Sequence, residues 1–209
     1  ILPLSPFVGM FGYFNGPEVN RTLFSFYQMN NLLGNVLSGD KCDVLSKISI
    51  TISKSDKKII DSIVPDSYIS FALGGEWSYR TYSKWGEVVT KIISKNVGQN
   101  IIFLGSNNAI EISQTILKKF PNNNIYNFVD KLSFNQTAEV IRRSKLIFCC
   151  DGGLMHAANA VNAKSITLFA RKAPNMLQTN NEDSTNLFDE IDVNNILSKE
   201  ILLKYYEVI

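Results

Sequence analysis

Histidine is almost missing from this 209-residue chain, which carries only His156. One imidazole cannot build a histidine metal cluster, and no nucleophile stands near it to form a Ser-His-Asp or Cys-His device. Cysteine is scarce as well: Cys42, Cys149 and Cys150 are an odd set. Their spacing matches neither a zinc site nor a disulfide framework, and the adjacent pair lies in an apolar run where thiols behave as small core groups. A reducing cytoplasm and no metal are the expectation. Charge of one sign is lacking too. The 21 basic and 19 acidic residues leave +2, too even for a nucleic-acid footprint unless the charge is clustered. No apolar run reaches the roughly 18 residues of a membrane span, and no internal repeat is visible. The first residues have neither the basic flank nor the length of a signal peptide. Because the chain opens on Ile1 rather than Met, an upstream segment is expected.

What is present is an alternation. The length suits one large or two small domains. Residues 1–19 are rich in Gly, Pro and aromatics without a period. From Arg21 to Gly34 the apolar spacing suits a helix with Asn20 as its N-cap. A strand is expected over Lys47–Ile52, and the charged stretch Lys54–Asp66 reads as a linker. Beyond Pro65 the pattern sharpens. Strands are predicted at Tyr68–Leu73, Asn100–Leu104, Ile125–Val129, Leu146–Cys150 and Ser165–Ala170. Helices are predicted at Lys84–Ser94, Ala109–Phe120, Asn135–Ser144, Leu154–Val161 and Asn194–Tyr206. Asn122-Asn123-Asn124 and the Asn-rich 175–186 segment read as solvated loops or a lid.

This alternation predicts an α/β, Rossmann-like parallel sheet over residues 66–209, preceded by a separate region, 1–65. Right-handed crossovers place every strand-to-helix loop on one rim. Gly74-Gly75, Gly105-Ser106 and Asp151-Gly152-Gly153 should therefore share a crevice, which is a ligand site by geometry.

The most informative stretch is Asp151-Gly152-Gly153-Leu154-Met155-His156-Ala157-Ala158. An acid at a strand end, two glycines and a helix start is how an α/β fold receives a phosphorylated ligand. Glycines let backbone approach closely, and the helix N-terminus favours an anion. Asp-Gly-Gly is also ordinary turn chemistry. Asp151 would repel a phosphate, so it is better placed beside a hydroxyl-bearing group. Lys84 stands at a helix start, against the dipole, a placement that makes sense if an anion occupies the rim; a solvated surface lysine is the plain alternative. Arg80 in the same loop has a weaker case. Glu111 lies in the first turn of the next helix, where the dipole alone favours an acid, or where it could accept from ribose hydroxyls. His156 lies just inside its helix, able to brace the glycine loop or to face ligand.

Together these residues resemble the C-terminal half of glycosyltransferase family 9, the lipopolysaccharide heptosyltransferases. The family motif Asp-Ser/Thr-Gly-x-x-His followed by small residues is matched from Asp151 to Ala158, except that Gly152 replaces the hydroxyl residue. Lys84-Trp85 matches a Lys-Trp element after a Gly-containing strand end. Leu104-Gly105 with Glu111 matches a strand ending in Gly before an acidic helix start. The resemblance covers residues 66–170 well, and 20–37 more loosely.

The resemblance implies a GT-B fold: two Rossmann-like domains, with this chain holding the C-terminal, donor-binding one and a remnant of the N-terminal one. It implies donor contacts from Lys84 (phosphate), Glu111 (ribose), Asp151 (sugar) and the backbone of Gly152, Gly153 and Leu154 (phosphate), with His156 supporting the loop. The donor implied is a nucleotide sugar, ADP-heptose; the acceptor is a lipopolysaccharide core or related glycan. Transfer is inverting and metal-free, with no separate cofactor and with an N-terminal-domain acid as base. It also implies a cytoplasmic location, at the inner face of the membrane. Two alternatives stand beside this enzyme: a non-catalytic nucleotide-sugar-binding module, and a GT-B enzyme using a UDP- or GDP-sugar. Should residues 1–65 form a small acceptor lobe, Asp40, Asp43 or Glu18 would be the candidate base.

Overall fold

A computed structural model of the chain describes residues 48–121, 124–177 and 183–209, together with Leu32. The helix expected from Arg21 falls outside these residues apart from Leu32. In chain order the described elements are α1 (Lys54–Ile63), β1 (Ile69–Ala72), α2 (Trp85–Lys95), β2 (Ile101–Leu104), α3 (Ile110–Lys119), β3 (Ile125–Asn127), α4 (Phe134–Arg143), β4 (Ile147–Cys150), α5 (Gly153–Ala160), β5 (Ser165–Ala170), α6 (Pro174–Leu177), β6 (Ser184–Asp189) and α7 (Ser198–Val208).

The six strands form one sheet in the order β3-β2-β1-β4-β5-β6, and every pairing is parallel. This is the doubly wound α/β arrangement, and it explains the unbroken apolar runs in the sequence. A strand covered on both faces has no solvent side to place polar residues on. Successive side chains alternate between two cores. Phe71, Phe103 and Phe148 enter one, beneath α2, α3 and α7. Ile102, Ile147 and Cys149 enter the other, beneath α1, α4 and α5. At the centre of the first core the rings of Phe71 and Phe148 stack with centroids 4.4 Å apart. Trp85 meets Phe71 edge-on at 5.5 Å.

Three expectations need correction. Lys54–Asp66 is not a linker: most of it is α1, started by the Ser53 side chain accepting from Asp56 N at 3.0 Å. Only Ile60 of this helix is buried, so its charged sequence hides a one-residue anchor. The partner surface is α4, reached through Gln136 donating to Asp56 at 3.1 Å and through an Arg143–Asp61 ion pair. Residues 48–53 form no strand. The Asn-rich segment contributes β6, which pairs in register with β5 from Ser165–Ser184 to Ala170–Asp189. An edge strand has only one neighbour and tolerates polar residues, so periodicity does not reveal it.

Because Ile60 is wholly buried, Ile60→Ala should cost about 2–5 kcal/mol, as for other large-to-small core changes. Urea unfolding measures it. A change near zero would return α1 to the status of a detachable linker.

Candidate functional site

Strand order changes direction between β1 and β4, since the chain runs outward to β2 and β3 on one side and to β5 and β6 on the other. Ligands of open α/β sheets sit at this switch point, beyond the carboxyl ends of the strands. A cleft of about 440 Å3 opens there. Leu73 and Cys150 floor it from the ends of β1 and β4, and Gly74, Gly105 and Asp151 all line it. The three glycine-bearing loops therefore share one crevice, as the alternation predicts.

Cross-links hold the rim. Asn108 donates from its side chain to the Gly75 carbonyl at 2.9 Å, tying the β2 loop to the β1 loop. Asp130 N donates to the Gly105 carbonyl at 2.9 Å. Gly105 has φ +149°, and a Cβ there would lie 2.5 Å from the Leu73 carbonyl oxygen. Its smallness is a demand of the fold. Gly152 and Gly153 differ. Gly152 is in extended backbone that any residue adopts. A Cβ on Gly153 would meet nothing within 4 Å, and one on Gly152 only the Cys150 carbonyl at 4.0 Å. Among the described residues nothing fills the space these glycines leave, and both glycines line the cleft.

The same residues open α5. No side chain caps this helix, and its first backbone acceptance is His156 N to the Gly152 carbonyl at 3.2 Å. The N–H groups ahead of His156 lack intrahelical partners and carry the positive end of the dipole. Gly152, Gly153 and Leu154 line the cleft.

Asp151 is buried, with its side chain 6% exposed, and pairs with Arg80: Nη1 donates to Oδ2 at 2.9 Å. Its backbone N–H is fixed by the Leu168 carbonyl at 2.9 Å. Lys84 is placed differently from expectation. It is half-buried rather than exposed, and its Nζ donates to the Asn194 carbonyl at 2.6 Å. It is not among the residues lining the cleft. Sequence reasoning missed Asn194, which braces the whole loop ahead of α2. Its Oδ1 accepts from Ser83 N and Oγ, each at 2.8 Å, and its Nδ2 donates to the Thr81 carbonyl at 2.9 Å. A link between residues some 110 positions apart leaves no periodic trace.

Glu111 is exposed in the first turn of α3 and stands outside the cleft lining; Ser106 and Asn108 face the cleft from that loop instead. His156 is half-buried. Burial holds its pKa below the ordinary imidazole value, with Asp151 pulling the other way, so a neutral ring is favoured at neutral pH. Burial also pushes the Cys149 thiol up to about 12 and raises that of Cys150. Neither is a thiolate nucleophile at neutral pH. Among the described residues no three or more His, Cys, Asp or Glu gather as metal ligands, and no helix is long and apolar enough to cross a membrane.

The family model of glycosyltransferase family 9 (heptosyltransferase) matches residues 16–205. The chain belongs to this family. No curated protein sequence matches it. Among solved structures, ADP-heptose lipopolysaccharide heptosyltransferase II of E. coli superposes with a TM-score of 0.65 at 18% identity, over 77% of this chain and 53% of that one. A family 9 glycosyltransferase of Veillonella parvula gives 0.72 at 13% identity, over 87% and 58%. E. coli heptosyltransferase WaaC with ADP gives 0.62 at 16%, over 73% and 48%. The shared property is the fold. This chain spans about half the length of each of these family 9 structures.

Proposed function

We propose that this chain is the donor-binding part of a glycosyltransferase, and that its cleft holds the diphosphate of a nucleotide sugar. The observation that carries the reading is the pair Gly152-Gly153. The fold does not require glycine at either position, yet both open the uncapped end of α5 onto the cleft. Bare backbone N–H groups at a helix start are a phosphate receptor. Family membership and the ADP-bound relative favour an ADP-sugar, ADP-heptose in the first instance. Inverting transfer to a lipopolysaccharide core or related glycan completes the proposal. In that chemistry a base takes the acceptor proton while the nucleotide diphosphate leaves from the opposite face.

Within this reading Leu132, Leu154 and Phe134 give the cleft an apolar side, suited to a base or sugar face, while Ser106, Asn108 and Asp130 supply polar partners for hydroxyls. His156 supports the loop from within α5. Glu111 would act from outside the cleft as found, on a ribose at its rim.

Calorimetry with ADP-, UDP- and GDP-sugars tests the proposal, with ADP-sugars expected to bind tightest. Tighter binding of a UDP- or GDP-sugar would move the enzyme to another donor. Gly153→Glu gives a sharper test. An acid in the first helical turn suits the dipole, while Glu76, Asp130 and Asp151 across the cleft oppose it, so stability should change by less than about 1 kcal/mol. The same carboxylate would occupy the cleft and repel phosphate. Donor affinity should fall at least tenfold, about 1.4 kcal/mol or more. Unchanged affinity would place the phosphate elsewhere.

A further inference from the structure

The loop after β1 displays an aromatic side chain that the donor reading leaves unused. Trp77 is 54% exposed, yet the loop that carries it is tightly made. The Trp77 carbonyl accepts from Arg80 N and from Thr81 Oγ1, each at 2.9 Å. A Cβ on Gly75 would lie 2.6 Å from Thr81 Oγ1 and 2.8 Å from the Arg80 carbonyl oxygen, so the turn closes on itself. Asn108 fixes its other side through the Gly75 carbonyl. A well-anchored backbone therefore presents the indole to solvent. The other aromatic of the loop, Tyr79, is covered: the guanidinium of Arg80 stands 5.6 Å from its ring centre, and that of Arg171 3.8 Å. Next to Trp77 in the chain, Glu76 lines the cleft and is exposed, and its carboxylate makes no ion pair or hydrogen bond with the described residues. Trp77 lies just outside the lining. An apolar plate and a free carboxylate thus adjoin each other where the cleft meets solvent.

Building on the donor reading above, we propose that Trp77 and Glu76 form a subsite for an uncharged pyranose ring of the acceptor glycan. One face of a pyranose is a set of C–H bonds that spreads over an indole, and the hydroxyls around its edge donate to a carboxylate. The indole gives a large contact area with only two torsions to fix, and the negative face of its π-system favours the partly positive C–H groups. Charge-assisted hydrogen bonds from the sugar hydroxyls to Glu76 set the orientation. The placement suits transfer, because the acceptor hydroxyl must reach the donor sugar from the open side of the cleft. Glu76, with Asp130 and Asp151 in the same cleft, disfavours a ring that carries its own negative charge. The N-terminal domain that the resemblance implies would supply the opposite wall and the base. Sugar binding to this chain alone is therefore weak, in the millimolar range.

The test fills the donor site of the full chain with ADP-heptose and titrates in methyl heptoside, methyl mannoside or glucuronate, following intrinsic fluorescence. The chain holds two tryptophans, and Trp85 is wholly buried, so the solvent-exposed signal is that of Trp77. The two neutral glycosides should give a saturable blue shift and protect Trp77 from acrylamide, with glucuronate bound at least about threefold more weakly. Ligand-observed NMR then compares variants. Trp77→Ala should weaken the neutral glycosides about tenfold, and Trp77→Phe no more than about threefold, since a smaller ring keeps the plate. Glu76→Gln should weaken them about 3- to 10-fold and abolish the bias against glucuronate. Trp77→Ala should bind ADP-heptose within about twofold of the unchanged protein and unfold at the same temperature. The inference is overturned if ADP-heptose binds while the neutral glycosides leave Trp77 unshifted at millimolar concentration, or if Trp77→Ala binds them as well as the unchanged protein does. It is also overturned if Trp77→Ala loses ADP-heptose as strongly as the glycosides, which would place Trp77 on the donor. Protection of Trp77 that rises with protein concentration and ignores sugar would show the ring covered by a second copy, and would overturn it too. Failure of the unchanged protein to bind ADP-heptose, ADP, UDP or GDP would instead remove the donor reading itself, and this inference with it.

Discussion

Gly105→Ala should destabilise the domain by roughly 2–6 kcal/mol, the sum of a strained backbone conformation and an overpacked contact. The residue sits at φ +149°, and its new Cβ would press on the Leu73 carbonyl at 2.5 Å and the Ala109 Cβ at 2.7 Å. Neither neighbour can yield cheaply. The Leu73 N–H is bonded to the Leu104 carbonyl at 2.8 Å, and Ala109 N to the Ser106 carbonyl at 2.9 Å. Gly153→Ala is the matched control. With open space around it and a helical position, it should be neutral or gain up to about 1 kcal/mol. Thermal or urea unfolding of the two variants separates a glycine that the fold needs from one that the ligand needs. Equal costs at both sites would dissolve that distinction.

The second large effect concerns turnover. The chain covers 53%, 58% and 48% of three solved family 9 chains. The resemblance places the base and acceptor surface in an N-terminal domain across the cleft. Holding acceptor, base and donor together is worth effective concentrations of roughly 10^5–10^8 M. Residues 1–209 alone should therefore bind donor while forming product no faster than an enzyme-free control. The assay incubates the purified chain with ADP-heptose and a heptose-deficient lipopolysaccharide core. Robust product that vanishes in Asp40→Ala, Asp43→Ala or Glu18→Ala would overturn this expectation and establish a compact enzyme. Those three acids lie outside the described residues.

The fold was legible where burial on both faces forced a pattern. The five strands predicted after Pro65 all form, and the central ones read as mainly apolar runs such as Ile101-Ile102-Phe103-Leu104 because both their faces are covered. The shared crevice was legible too, since handedness alone assigns the loops to one rim. What escaped was structure supported by remote partners. α1 is helical on a charged sequence because Ile60 and the α4 contacts hold it. β6 is a strand because β5 supplies its hydrogen bonds. At the site, sequence weighed Lys84 above Arg80 by position relative to a helix start. Geometry places Arg80 in the cleft, and Lys84 on Asn194, through an arrangement fixed by the Val193–Asn195 turn. No spacing rule connects residues so distant in the chain.

If the chain holds a nucleotide-sugar donor, its diphosphate lies in the cleft between β1 and β4, at the start of α5. Backbone amide NMR of the full chain titrated with ADP tests it most directly. The predicted result is saturable binding, with the largest shifts at Gly152, Gly153 and Leu154 and smaller ones at Ser106 and Asn108. Saturable binding whose largest shifts lie away from this cleft, or no shifts at millimolar ADP, UDP and GDP alike, would contradict it.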